Sequence, residues 1–177
     1  MLNALPITRI RPSGFTLVEL LIGIAILGIM LAAAAPGFRV WMQNIQTRTA
    51  AESIAQGLQK ARAEAVARNT NVAFTLVGAD SSWNVSVVAP VEVLEARLAA
   101  EGSRNVNLAT VPAGATTITF NNLGGVAANA NGSMPFTQAN LDAAAAGGNI
   151  NLRVTIGAGG NARMCDPIQV APDLRAC

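Results

Sequence analysis

Apolar residues fall into three regimes along the chain. From Phe15 to Ala35 they are nearly continuous, reading Phe-Thr-Leu-Val-Glu-Leu-Leu-Ile-Gly-Ile-Ala-Ile-Leu-Gly-Ile-Met-Leu-Ala-Ala-Ala-Ala. As a helix this run is about 31 Å long, enough to cross a hydrocarbon core of about 30 Å. Pro36-Gly37 interrupts it, and proline inside a helix removes a hydrogen bond and bends the axis. Phe38, Trp41, Ile45, Ile54, Leu58, Ala61 and Ala65 then recur among Arg39, Arg48, Glu52, Lys60, Arg62, Glu64 and Arg68, an amphipathic pattern with a period near 3.6. The spacing predicts a near-continuous helix from about Thr16 to Arg68, stopped at Asn69-Thr70-Asn71, whose apolar stripe packs on the sheet of a head.

After residue 70 the period becomes two. Val72, Phe74 and Leu76 alternate with polar or small neighbours, as do Trp83, Val85 and Val87, with Gly78-Ala-Asp-Ser81 between them. This reads as a β-hairpin. Val91 to Ala100 is open between strand and short helix, and Asn105 to Thr110 and Thr116 to Asn121 are short strands. Gly124 to Gly148, rich in Gly, Ala and Asn, reads as a long loop or a partly mobile excursion without a legible role. Ile150, Leu152, Val154 and Ile156 alternate cleanly with Asn151, Arg153 and Thr155, and Gly157-Ala-Gly-Gly160 turns this strand back toward Ala162 to Val170. A long N-terminal helix packed on an antiparallel β-sheet head is an α+β architecture.

Composition sharpens the picture. Hydrophobic residues make up 51 % of the 177 and charged ones 12 %, which excludes a disordered polyampholyte. There is no His, so the commonest general base and zinc ligand is missing, and an enzyme built on histidine chemistry is excluded. The acid pairs Glu92/Glu95 and Asp166/Asp173 read as solvated surface charges, no cofactor or metal site emerges, and nothing indicates an enzyme. Cys165 and Cys177 are the two cysteines, too few for a four-thiolate metal site, and their position suggests a terminal disulfide formed in an oxidising compartment.

The residues before the apolar run carry Arg9 and Arg11 and no acid. A secretory signal would show a shorter apolar stretch and a small-residue cleavage site, which Ala33-Ala34-Ala35 could imitate. Glu19, one turn into the run, carries an insertion cost of about 2.5 to 3.5 kcal/mol in lipid and calls for a cation or a snorkelling position at the interface. A cut after Gly14 would leave the new amine of Phe15 one turn from Glu19, or within reach of it on a neighbouring subunit.

The stretch Gly14-Phe15-Thr16-Leu17-Val18-Glu19-Leu20, after a basic leader and before an apolar run, resembles the class III signal of type IV pilins and type II secretion pseudopilins. The resemblance implies cleavage between Gly14 and Phe15 by prepilin peptidase, N-methylation of Phe15, inner-membrane residence and packing into a helical filament, with Glu19 meeting the N-terminal amine of an adjacent subunit. Loss of Arg9 and Arg11 would take the formal charge from +2 to zero, ten basic against ten acidic residues. Gln59-Lys-Ala-Arg-Ala-Glu-Ala-Val-Ala-Arg-Asn69, Phe120-Asn-Asn-Leu-Gly124 and the close from Arg163-Met-Cys165 to Arg175-Ala-Cys177 are similar to the FimT/FimU branch of minor pilins, which shares a domain family with minor pseudopilin H. The implied organisation is a leader at 1–14, a transmembrane and filament-core helix at 15–36, an amphipathic helix at 37–69 and a periplasmic β-rich head at 70–177. The implied role is a minor pilin that primes or joins a type IV pilus, with other minor and major pilins as partners. The alternatives are the H-type pseudopilin of type II secretion and a DNA-binding minor pilin for natural transformation.

The DNA alternative rests on arginines. If Ile156 pairs with Ala162, Thr155 faces Arg163 and Arg153 shares that face. A Cys165–Cys177 bridge would then bring Arg175 near, forming a basic patch suited to phosphate. The DNA-binding relatives carry Gly-Arg-X-Arg on this hairpin, whereas this chain reads Gly160-Asn161-Ala162-Arg163.

Overall fold

The computed structural model describes residues 14–143 and 148–177. Arg9 and Arg11 lie outside the described residues. The chain divides into two units, residues 1–37 and 38–177. Helix α1 runs Leu17–Arg68 with Pro36 inside it, close to the predicted span. In the first unit the helix residues are all exposed. In the second, Thr47, Ala50, Ala51, Ile54, Leu58, Ala61 and Ala65 are fully buried.

The helix stops as its sequence directs. Asn69 takes a left-handed φ of 52°. The Thr70 amide reaches back to the Ala65 carbonyl at 3.1 Å and the Asn69 amide to Val66 at 3.3 Å, the paired bonds of a Schellman motif. Asparagine tolerates that backbone better than other non-glycine residues.

Among the described residues nine strands follow: β1 Val72–Val77, β2 Ser82–Val87, β3 Glu92–Arg97, β4 Val106–Val111, β5 Thr117–Phe120, β6 Val126–Ala127, β7 Gln138–Ala143, β8 Leu152–Ile156 and β9 Ala162–Cys165. The open segment at Val91 to Ala100 is thus strand β3. These strands pair antiparallel in two sheets ordered β3-β2-β1-β5-β6 and β4-β7-β8-β9, and an isolated parallel bridge joins Asp166 to Ala176. Side chains of both sheets join the helix stripe in one core, with Phe74, Trp83, Ile118 and Phe120 from the first sheet and Leu141 and Val154 from the second.

Two expectations are corrected. The described residues of the segment Gly124 to Gly148 are not a structureless loop. They contain β6, a turn built on buried Asn129, and β7, which pairs on both sides with β4 and β8. Asn129 accepts from Thr119 Oγ1 at 2.9 Å and donates to the Thr117 carbonyl at 3.0 Å. The second correction concerns Phe38, Trp41 and Ile45, which do not pack on the head: Phe38 and Trp41 are 58 % and 56 % exposed. At about 100° per residue they centre on the side of the helix opposite the Ile54–Leu58 stripe.

The second unit closes on small residues. A Cβ built at Gly57 would meet Phe74 Cε2 at 2.7 Å and the Trp83 ring at 3.1 Å, so the α1 backbone approaches those rings as closely as glycine allows. The rings themselves stack tilted, with centroids 5.4 Å apart. Gly57→Ala should therefore destabilise the protein by about 1–3 kcal/mol through overpacking, despite alanine's better helix propensity. Thermal or denaturant unfolding checks this, and a gain in stability would refute the close packing.

Candidate functional site

Gly14, Phe15 and Glu19 lie at the start of α1, all exposed. Thr16 caps the helix: its Oγ1 accepts the Glu19 amide at 3.2 Å and its carbonyl accepts the Leu20 amide at 3.1 Å. Thr16-Leu17-Val18-Glu19 thus follows the Ser/Thr-x-x-Glu order of a capping box, a signal present in the sequence and not used in reading it. Glu19 stands in the first turn, where the helix dipole favours a carboxylate. Among the described residues no Lys or Arg is paired with it. The side chains behind it, from Leu20 through Leu31, remain open to their surroundings.

At the other end of the chain Cys165 and Cys177 form the expected disulfide, with Cα atoms 5.1 Å apart. On the β8–β9 hairpin Ile156 pairs with Ala162, Thr155 with Arg163 and Arg153 with Cys165, so Arg153 and Arg163 share a face. The C-terminal segment folds back over that face. Arg163 Nη2 donates to the carbonyls of Leu174 at 3.1 Å and Ala176 at 3.0 Å, and the Asp166 amide donates to the Arg175 carbonyl at 2.7 Å. Arg153 Nε donates to Asn140 Oδ1 at 2.7 Å. Arg175 turns to Asp173, its Nη2 2.8 Å from Oδ2. The Arg175 side chain and backbone amide together hold the Asp173 carboxyl at about 2, below its usual 3.8. All three arginines are engaged by groups of their own chain.

The two internal stretches that carried the resemblance meet in space. Arg62 Nε donates to the Gly124 carbonyl at 2.9 Å, and Asn122 Nδ2 donates to Asn69 Oδ1 at 2.9 Å. Asn121 shapes the turn between β5 and β6, its Oδ1 accepting the amides of Leu123 and Gly125, both at 3.0 Å. Gly160, at φ +77°, lies so close to the Gly124 carbonyl and the Phe120 ring that a side chain would collide with both. Beside this corner runs a cleft of about 540 Å³ between the helix residues Arg62, Ala63 and Val66 and the turn residues Gly160 and Asn161. Nothing in the spacing of these residues announced that they converge, because the contacts lie 53 and 62 residues apart in sequence.

No sequence among the curated proteins matches this chain. Two solved structures of the Pseudomonas aeruginosa (strain PAO1) type IV minor pilin FimU are similar in fold. One, in space group P21, superposes with a TM-score of 0.52 at 18 % identity over 71 % of this chain and 92 % of that one. The other, in space group P65, gives a TM-score of 0.49 at 16 % identity over 71 % and 97 %. The prokaryotic N-terminal methylation motif matches residues 9–35, the stretch that holds Gly14, Phe15 and Glu19. The profile described as type II transport protein GspH matches residues 50–160, from the buried stripe of α1 to the turn before β9. Since that match spans more than half of the chain, the protein belongs to the GspH family of pilin-like proteins.

Proposed function

We propose that residues 1–14 are a leader removed by prepilin peptidase between Gly14 and Phe15, that Phe15 is then N-methylated, and that the mature chain enters or primes a type IV pilus as a minor subunit. Residues 15–36 then hold it in the inner membrane with residues 70–177 in the periplasm, until neighbouring pilins replace lipid around the helix. One observation carries this reading: among the described residues, the side chains of the apolar first part of α1 are exposed throughout, with one carboxylate, Glu19, among them. In lipid or in a filament such a surface is stable, and a neighbouring Phe15 amine would compensate Glu19. A pseudopilus of type II secretion is the second reading, favoured by the description of the matched family. DNA has less support as a partner, because Arg163 and Arg175 already donate to the C-terminal segment and to Asp173.

Membranes containing prepilin peptidase should convert the protein to a species whose intact mass begins at Phe15. Cleavage after Ala35 would defeat the assignment. Glu19→Ala should insert as well as the wild type, since it removes a charge from lipid, yet be depleted from sheared filaments. Wild-type recovery in filaments would show the pairing to be dispensable.

The C-terminal segment makes a separate prediction about pH. With its folded pKa lowered to about 2, Asp173 contributes stability above its unfolded value near 3.8, and that contribution is lost as pH falls from about 4 toward 2. An NMR titration should put the Asp173 midpoint near 2 in the wild type and higher in Arg175→Ala, which loses the guanidinium but keeps the backbone amide bond to the carboxylate. A wild-type midpoint near 3.8 would mean that the ion pair does not form in solution.

A further inference from the structure

Phe38, Trp41, Met42 and Ile45 stand at i, i+3, i+4 and i+7 of α1, the spacing of a single apolar stripe, and all four are exposed. At about 100° per residue the stripe is centred about 170° from the buried one that runs from Thr47 to Ala65. It therefore cannot be an upstream continuation of the face that packs on the sheets. The head takes hold of the helix from the other side: Asn44 Nδ2 donates to Asn149 Oδ1 at 2.7 Å and Asn44 Oδ1 accepts the Asn149 backbone amide at 3.1 Å, and Gln46 accepts the Asn105 amide at 3.1 Å. Phe38 and Trp41 contact one another, with ring centroids 5.6 Å apart, but cover no part of the core. Beyond Ile45 the outward side turns polar at Arg48, Glu52 and Gln56.

Two charges bracket the apolar run. Between Glu19 and Arg39 no residue is charged. As a helix that interval is about 30 Å long, the thickness of a bilayer's hydrocarbon core. With the Glu19 carboxylate at one headgroup level, Arg39 reaches the opposite one, where its guanidinium can snorkel into water. Phe38 and Trp41 flank that arginine, and aromatic rings are enriched at this depth because an apolar ring and a polar edge are both satisfied there.

We propose that the Phe38–Ile45 stripe, with Arg39, is a membrane-interface anchor that seats in the headgroup region of the outer leaflet of the inner membrane and fixes the depth of the helix before assembly. This rests on the membrane residence proposed above. Its occupant is the lipid interface, to which the adjoining apolar run leads directly.

The test uses the full-length chain in vesicles of phosphatidylcholine and phosphatidylglycerol, with bromine on the acyl chains either near the glycerol or near the bilayer centre. The chain has two tryptophans, and Trp83 is buried in the head, so subtracting the emission of a Trp41→Phe variant isolates Trp41. Shallow bromine should reduce the Trp41 component at least about twofold and deep bromine much less. An unquenched Trp41 in a chain that floats with the vesicles overturns the anchor and leaves the membrane reading standing. A chain that does not float overturns both. Shielding of Trp41 in sheared filaments, together with no quenching in vesicles, would assign the stripe to a partner subunit instead and reject the lipid contact.

Discussion

The backbone of α1 presses against the rings of Phe74 and Trp83 at Gly57, and the head depends on that approach. The chain has five Phe, two Trp and no Tyr, so bulk cannot fill its core. Closeness does so instead. Gly57 and the alanines at 50, 51, 61 and 65 let both sheets come up to the helix, and the larger side chains of the sheets, Phe120, Ile118 and Val154 among them, fill the space the helix leaves. Dispersion is steep in distance, so a close-packed small-residue face stabilises as effectively as interdigitated large side chains. Within the second unit the head covers one face of the helix from about Asn44 onward.

Around that contact the connections are held by polar groups at defined corners. Arg62 and Asn69 receive the β5–β6 turn through Gly124 and Asn122, and Gly160 fits beneath that turn because it has no side chain. At the far end Arg163, the Asp173–Arg175 pair and the Cys165–Cys177 bridge fold the last residues over the β8–β9 face. Closing a loop of this length removes about 3 kcal/mol of chain entropy from the unfolded state, a meaningful share of the stability of a small head. The ion pairs that tie β3 to the helix, Lys60 with Glu95 and Arg68 with Glu92, are exposed and contribute little by comparison.

How legible this was varies with the range of the interaction. The helix from Thr16 to Arg68, its stop at Asn69, the β1–β2 hairpin and the β8–β9 register could be read because each is set by local periodicity, a cap or a tight turn. The terminal disulfide followed from having two cysteines and nothing else for them to do. Strand β7 was missed although Ala139 and Leu141 alternate with Gln138, Asn140 and Asp142, since alanine is a weak β-former and the strand is defined by its neighbours β4 and β8. Phe38, Trp41 and Ile45 were assigned to the core because they share the helical period of Ile54 and Leu58. Period alone does not fix phase across the eight residues between Ile45 and Ile54, and about 100° per residue places the two sets on opposite sides. The arginine face was found in the right place, but its closure by carbonyls of Leu174 and Ala176 is a tertiary contact with no sequence signature.

One helix thus has two parts: a face that its own head buries from Thr47 to Ala65, and an apolar stretch from Leu17 to Ala35 whose side chains are exposed. The most direct measurement of that division is a nitroxide scan of single-cysteine substitutions from residue 20 to 65 in the full-length protein in bilayers, the native cysteines being bonded to each other. The account predicts oxygen accessibility that is high on every side through residue 35, and then a period near 3.6 with minima at Ala50, Ile54, Leu58, Ala61 and Ala65. A protected face continuing unbroken through residues 20 to 35 in the monomer, or no protected face between 50 and 65, would contradict it.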